Sequence, residues 1–419
     1  MKQELSPPRR DEGPRWSVTH PLGIARRPNE RMAIAIAIGA MGTLGFAVTS
    51  PILPDLADAF GVSRASIGLV QAAVSIPGVL FSAVIGYLAD RFGRRRVVLT
   101  ALLIFTTFGL AGFVARSYWG LVAVRFCQGI GTSGILGLGI VLIGDTFEGR
   151  ARTRAMGINI TGVTLVAMAG PIASGLLAVG GTFRSFLIFL IGLPLILWAS
   201  RMPTDVPKEA VAPPIKHVAS AARAMKRAGT YYDYAGLLVA TFSGVFIMHG
   251  LGLTVTPLFL DGEFGVSVGV RGFILASFQA GIIVVALRVS KLLGRLGTRK
   301  MLTIAFSFMA VGTAAAGLAP APWVIGVALG LAGVGFGMFI PVAQSFAAAA
   351  GTAAFRGVSV LVWVTMVRVA QVVGPPTGSQ LAEGANYRLA YFIAAAGMGV
   401  LAVAWAPLRR VTARRAQVA

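Results

Sequence analysis

Apolar runs of about twenty residues recur along this chain, from Ala33 to Trp405. That recurrence constrains the fold more than any single motif. A helix rises about 1.5 Å per residue, so about 20 residues cross the hydrocarbon core of a bilayer. Inside that core each backbone N–H and C=O must be satisfied within the protein, and a helix does this on its own. Twelve spans are expected, near 32–53, 66–89, 97–115, 119–144, 156–179, 183–200, 235–260, 271–290, 301–319, 323–348, 358–382 and 388–406. Hydrophobic residues make up 56% of the 419 positions and charged residues only 12%. The charged share is about half that of a soluble domain, which could not cover so much apolar surface. The expected fold class is all-α, a polytopic membrane protein.

A net charge of +22 would point to nucleic acid in a soluble protein. Topology accounts for it here. With the N-terminus in the cytoplasm, 29 of the 37 Lys and Arg fall on cytoplasmic segments. Five (Arg64, Arg116, Arg184, Arg271 and Arg388) fall outside, and three (Arg125, Arg288 and Arg368) lie within spans. Basic residues collect on the cytoplasmic side of membrane proteins. Both termini are therefore expected in the cytoplasm, across a cell inner (plasma) membrane, and no charge is left over to call for a nucleic-acid partner. Cys127 is the only cysteine, so no intrachain disulfide can form. Ala33 to Met41 has the apolar character of a signal peptide, but the run continues to Ile52 without an evident cleavage site, which favours a retained first span.

The expected organisation is a disordered basic tail (1–30), a six-helix bundle (31–201), a linker (202–233), a second six-helix bundle (234–408) and a short tail (409–419). The linker carries Pro203, Pro207, Pro213 and Pro214. Ile215, Val218, Ala222 and Met225 fall on one helical face, which suits either a helix lying on the anionic leaflet or a solvated connection. The two bundles repeat at an offset of 204 residues. Phe60-Gly61-Val62-Ser63 returns as Phe264-Gly265-Val266-Ser267, Gly129-Ile130-Gly131 as Gly333-Val334-Gly335, and Gly170-Pro171 as Gly374-Pro375. The charged turn Gly86-Tyr87-Leu88-Ala89-Asp90-Arg91-Phe92-Gly93-Arg94-Arg95-Arg96 returns in degraded form around Gly297, with Gly294 in place of the aspartate. Six spans per repeat give both halves the same orientation, an arrangement that frames a central site about which the halves rock.

These residues resemble the major facilitator superfamily over roughly 30–408. Gly86, Asp90, Arg91, Gly93, Arg94 and Arg95 match its motif A (G-x-L-a-D-r-x-G-r-r). Leu121, Arg125, Gln128, Gly129 and Gly131 match motif B. Gly170-Pro171-Ile172-Ala173-Ser174-Gly175 is similar to motif C of the twelve-span drug:proton antiporters, with Ser174 in place of a glycine. The resemblance implies a charge latch of Asp90, Arg94 and Asp145 that favours the outward-open state. The competing reading is plain topogenic charge. For Arg125 it implies a role in proton coupling or in organising the cavity, against simple hydrogen bonding to carbonyls of a neighbouring helix. Gly86 and Gly93 are expected to serve tight turns and close helix approach. Gly170, Pro171, Gly175, Gly374 and Pro375 are expected to break and kink spans 5 and 11.

Arg368, with Gln371 one turn on, lies about ten residues into span 11, roughly 15 Å deep. It stands outside the family motifs and so is the better candidate for chemistry specific to the substrate. An arginine at such depth normally faces a cavity or a partner. His249 in span 7 could carry a proton or could simply pack. Phe46, Phe242, Phe246, Phe336 and Trp363 are candidate lining residues. Asp55, Asp90, Asp145, Asp233 and Glu383 all sit near span ends, so no carboxylate is expected deep in the membrane, and neutral or anionic amphipathic substrates fit better than cations. No cluster has metal-ligand spacing, and no nucleophile stands beside a base. The chain is expected to be no enzyme, to need no cofactor, and to draw on the proton gradient. Its expected partners are a small-molecule substrate and the lipid bilayer, with the chain acting as a monomer. The leading expectation is proton-coupled efflux by alternating access. The alternative is a proton-coupled uptake permease for a small organic anion or metabolite.

Overall fold

The structure is a computed structural model that describes residues 28–147, 149–202, 218–227, 229–286, 288–350 and 356–406. Apart from 28–30, the expected tails lie outside the described residues, as do linker residues 203–217. Eleven helices are long and apolar enough to cross a membrane, and a bent pair supplies a twelfth. In chain order they are α1 (Met32–Phe60), α2 (Gly68–Ser82 with Val84–Phe92, bent by 58°), α3 (Arg94–Val114), α4 (Tyr118–Gly139), α5 (Arg154–Ala178), α6 (Thr182–Ala199), α7 (Tyr231–Phe264), α8 (Val268–Ala286), α9 (Val289–Gly317), α10 (Pro322–Ala350), α11 (Gly357–Gly384) and α12 (Tyr387–Trp405). Six helices precede the linker and six follow it. We call the end of the molecule that carries the linker the linker face, and the opposite end the distal face.

Each half has its own apolar core. The first gathers Ile38, Leu53, Leu102, Phe105, Phe186 and Phe189; the second gathers Leu237, Phe259, Phe306, Phe339, Tyr391 and Met398. Between helices in lipid there is no hydrophobic drive, so close backbone approach supplies much of the attraction. Gly131 shows this. A Cβ built on it would stand 2.5 Å from the Ala101 carbonyl oxygen and 2.6 Å from the Phe105 nitrogen of α3. Its repeat mate Gly335 presses in the same way on Ala305 and Met309 of α9, again 204 positions on. The turn in the charged block repeats as well. Gly93 has φ 88° and Gly297 has φ 73°, a backbone region that strains any residue with a side chain.

Three boundaries differ from the sequence expectation. α1 runs on to Phe60 through a 3₁₀ turn at Ser50–Ile52, because Pro51 and Pro54 interrupt the α-helical hydrogen bonding without ending the rod. α7 extends from Tyr231 to Phe264 and is π-helical over Met248–Val255. α8 stops at Ala286, so Arg288 lies exposed in the break before α9 rather than inside a span. The linker helix Val218–Arg227 buries Ala221 and Met225, and Met225 joins the second core. That apolar face is spent on protein rather than on lipid; Ile215 lies outside the described residues.

Candidate functional site

A cavity of about 280 Å³ lies between the halves, about midway along α7. The first half lines it with Thr43, Phe46, Ala47, Leu136, Ala167 and Pro171. The second half contributes Val245, Met248, His249, Gly252, Leu253, Leu275, Phe278, Gln279, Phe336, Ile340, Val367 and Gln371. The wall is apolar and aromatic, with a few convergent polar groups, as small-molecule sites commonly are. His249 sits in the π-helical stretch, its Nδ1 3.1 Å from the Val245 carbonyl oxygen and its ring edge-on to Phe46 at 5.6 Å. Such stretches often mark functional sites, because the extra residue redirects a side chain. Of the expected lining aromatics, Phe46 and Phe336 face the cavity. Trp363 is instead buried, donating to the Thr241 hydroxyl at 3.0 Å, and Phe242 stacks on Phe246 at 5.6 Å. Phe278 and Gln279 are lining residues that sequence reasoning passed over; their spacing on α8 resembles that of any apolar span.

Arg368 reaches from α11 across to the first half. A Cβ built on Gly78 of α2 would stand 3.2 Å from Arg368 Cδ and 3.4 Å from its Nε, with the Ser133 hydroxyl at 3.5 Å. Arg368 Nη1 donates to Gln371 Oε1 at 3.3 Å, and Gln371 faces the cavity. Arg125 is placed quite differently. It is fully buried inside the first half, where it donates to Gln128 Oε1 at 2.5 Å and to the Gly45 carbonyl of α1. This is the carbonyl-bonded arrangement that stood beside the coupling role in the sequence reading.

The distal ends of the halves are tied by a chain of alternating charges. Arg271 of α8 is 2% exposed and grips Asp55 of α1 with Nη2, at 2.9 and 2.8 Å to the two carboxylate oxygens. Its Nη1 stands 3.8 Å from Asp261 of α7. Asp261 in turn accepts from Arg64, in the loop after α1, at 2.5 Å. Arg64 also donates to the Tyr387 hydroxyl at 3.4 Å. Burial pulls its pKa down, but Tyr387 and then Asp261 outweigh that and leave it above its ordinary value. Glu383 accepts from the Ala65 N–H, and Ser379 donates to the Ala65 carbonyl at 2.7 Å. Directly above the cavity, the Ser50 hydroxyl donates to the Leu253 carbonyl at 2.6 Å. Two ion pairs, Arg271–Asp55 and Arg64–Asp261, join the halves at this face. Sequence reading placed Arg271 in an outer loop. It is instead in the first turn of α8, buried because the other half brings it a carboxylate.

The expected helix breaks meet at the same level. Pro171 lies inside α5, and Pro375 and Pro376 lie inside α11. A proline frees the carbonyl one turn earlier and bends the rod. Gly170 packs on Ala47, 2.8 Å from a Cβ built on it, and Gly374 on the Phe246 carbonyl at 2.6 Å. Gly175 faces the Val268 carbonyl of α8 at 2.6 Å. Gly272 of α8 sits against the Pro171 carbonyl, and Gly68 of α2 sits against the Pro375 carbonyl. These two crossings are repeat mates, each joining one half to the other.

At the linker face, Arg94 approaches Asp90 at 4.0 Å, and Asp90 is 38% exposed. The Asp145 side chain lies outside the described residues. Arg91 donates to the Tyr87 hydroxyl at 3.2 Å and covers Phe92, while Arg95 donates to the Ser200 carbonyl. Gly86 has open space around it, so the expected close approach there is absent in this conformation.

The sequence profile described as Major Facilitator Superfamily matches residues 35–267 and 237–418. The chain is 33% identical over 141 residues to the probable 4-methylmuconolactone transporter of Cupriavidus pinatubonensis, covering 33% of each protein. It is 25% identical over 351 residues to the multi-drug resistance efflux pump PmrA of Streptococcus pneumoniae, covering 82% of this chain and 86% of that one. For the first of these relatives, and others like it, the match spans about a third of the relative's length. The crystal structure of the nucleoside transporter NupG superposes with a TM-score of 0.72 at 16% identity, covering 89% of this chain and 99% of that one. The profile match, the two six-helix halves and the paired breaks agree: the chain belongs to the Major Facilitator Superfamily.

Proposed function

We propose that this protein is a secondary active transporter that exports small amphipathic compounds, neutral or anionic, in exchange for protons by alternating access. The observation that carries the reading is a single cavity walled by both halves and roofed on one face by ion pairs between them. A pore would need no such roof. The linker face is the cytoplasmic one in this reading, because the basic residues collect there. The described conformation is then inward-facing, with the distal roof closed and the cavity reached from the cytoplasm. The motif A latch of Asp90, Arg94 and Asp145 acts in the opposite state, when the cytoplasmic ends close. His249, a titratable group on the cavity wall, is the proton carrier in this scheme, and the proton gradient is the energy source. Efflux by PmrA, a relative aligned over most of both chains, supports the direction.

Everted membrane vesicles from an expressing strain provide the test. With a proton gradient already established, adding an exported compound collapses the gradient in vesicles that hold the protein and not in those that lack it. A second reading, uptake of a small organic anion with a proton, is favoured by Arg368, which has no acidic partner among the described residues. Under that reading, right-side-out vesicles accumulate the anion as protons enter, and the everted vesicles show no gradient collapse.

A further inference from the structure

We infer that Arg368 and Gln371 hold the carboxylate of a monoanionic aromatic acid, with its ring among Phe46, Phe278 and Phe336. This deepens the transport reading, since it takes the central cavity as the transport site. The inference starts from two intramembrane arginines in contrasting states. Arg125 is sealed inside one half, and its bonds to Gln128 and the Gly45 carbonyl build the bundle. Arg368 is half-buried, and its hydrogen-bonding partner among the described residues is Gln371, at a long 3.3 Å. A guanidinium presents five donors in a planar fork that matches a carboxylate. A cation left in the membrane without a counter-charge is costly, so an anionic ligand is the group that completes this site.

Position and size narrow the ligand further. Arg368 lies about one turn toward the linker face from Gln371, on the side from which a cytoplasmic compound approaches in the transport reading, and Gln371 links it to the cavity wall. The cavity beyond, about 280 Å³, falls just below the range of about 300–1,000 Å³ of typical small-molecule pockets, which favours a small ligand. Phe278 and Phe336 lie 5.6 Å apart at 51°, and Phe46 stands against His249. Such faces and edges suit one or two fused aromatic rings. The described cavity wall carries no lysine or arginine, so beyond Arg368 a second negative charge would find no permanent cation, which makes a monoanion the better fit than a dianion or a phosphate ester.

The same geometry ties binding to movement. Arg368 spans the boundary between the halves, with its stem against Gly78 of α2. Closing the linker face buries the guanidinium further. With the site empty, that closure traps a bare cation; with a carboxylate bound, it traps a neutral pair. The ligand's charge therefore licenses closure as well as affinity.

The test uses the full chain in nanodiscs and two probes of equal shape, 2-naphthoate and the uncharged 2-naphthamide, measured by calorimetric titration. Wild type is expected to bind the acid about tenfold or more tightly than the amide, the scale of one hydrogen-bonded charge. Arg368→Gln is expected to lose that preference while still binding the amide, and Arg368→Lys to keep part of it. Equal binding of acid and amide by wild type, binding of neither, or survival of the preference in Arg368→Gln would each overturn the inference. If Arg368→Gln does not yield folded protein, Gly78→Val, which displaces the arginine stem without removing charge from the chain, must show the same loss. Acid-selective binding without flux in proteoliposomes would sink the transport reading and leave the site standing. Flux without acid preference would do the reverse.

Discussion

At the scale of single residues, the distal charge chain has the largest energetic stake. Arg271 is nearly inaccessible, and Asp55 supplies both of its short bonds. Removing one partner of a fully buried pair costs about 3–5 kcal/mol; here Asp55 is partly exposed and Asp261 stays 3.8 Å from Arg271, so the loss falls toward or below the low end of that range. That cost falls on the closed distal state alone, because separated halves return Arg271 to water. Asp55→Asn is therefore expected to shift the protein toward distal opening. In a Cys127→Ser background, a reporter cysteine at Leu253, just beneath the roof, should react with an impermeant maleimide at least tenfold faster from the distal side. Unchanged labelling would show that the pair does not hold the roof. His249→Asn keeps a side chain of similar polarity and removes the titratable ring. It is expected to leave substrate exchange down a substrate gradient intact and to abolish accumulation driven by a pH gradient, as read by radiolabelled flux in proteoliposomes.

At the scale of elements, the glycines divide into those that a neighbour demands and those that none does. Gly131→Val drives new atoms into the α3 backbone, which side-chain adjustment cannot relieve. It is expected to lower the melting temperature by several degrees and the yield of monodisperse protein severalfold. Gly137 meets nothing within 4 Å, so Gly137→Ala is expected to be neutral or to stabilise by up to about 1 kcal/mol through helix propensity. Gly272→Val tests the crossing between halves. It collides with the Pro171 carbonyl only when the distal face is shut, so it should trap the opposite state while leaving each bundle folded. Trypsin accessibility of the linker, paired with the maleimide assay above, would report this. Much at this scale was legible in the sequence, because span length, basic asymmetry and the 204-residue repeat are properties of the chain alone. The crossings were legible only in part: Gly170-Pro171 announced a break, but nothing in its spacing named Gly272 as the partner. The π-helical stretch of α7 was hidden, since one additional residue per turn leaves apolar composition unchanged.

At the scale of the whole molecule, the roof was the least legible feature, and the reason is arithmetic. Asp55 and Asp261 stand 206 positions apart, and Arg64 and Arg271 stand 207 apart, so an alignment of the halves at 204 passes over both pairs. Folding restores the relation. Each half carries one acid at the end of its first helix and one base near the start of its second, and each base serves the acid of the other half. The four charges sum to zero, and each half contributes none on balance. When the halves swing apart, equal positive and negative charge moves through the electric field together. One unbalanced charge carried across the membrane would be worth about 2.3 kcal/mol for every 100 mV; the balanced quartet takes up almost none of this. Opening and closing of the roof should accordingly proceed at the same rate in liposomes clamped at 0 and −100 mV, as single-molecule fluorescence transfer across the distal face would record. A rate that changed severalfold with voltage would mean that some further charge rides with the moving half. The duplicated, cross-wired gate thus makes the roof an electroneutral hinge, deaf to the membrane potential and answerable to what sits in the cavity beneath it.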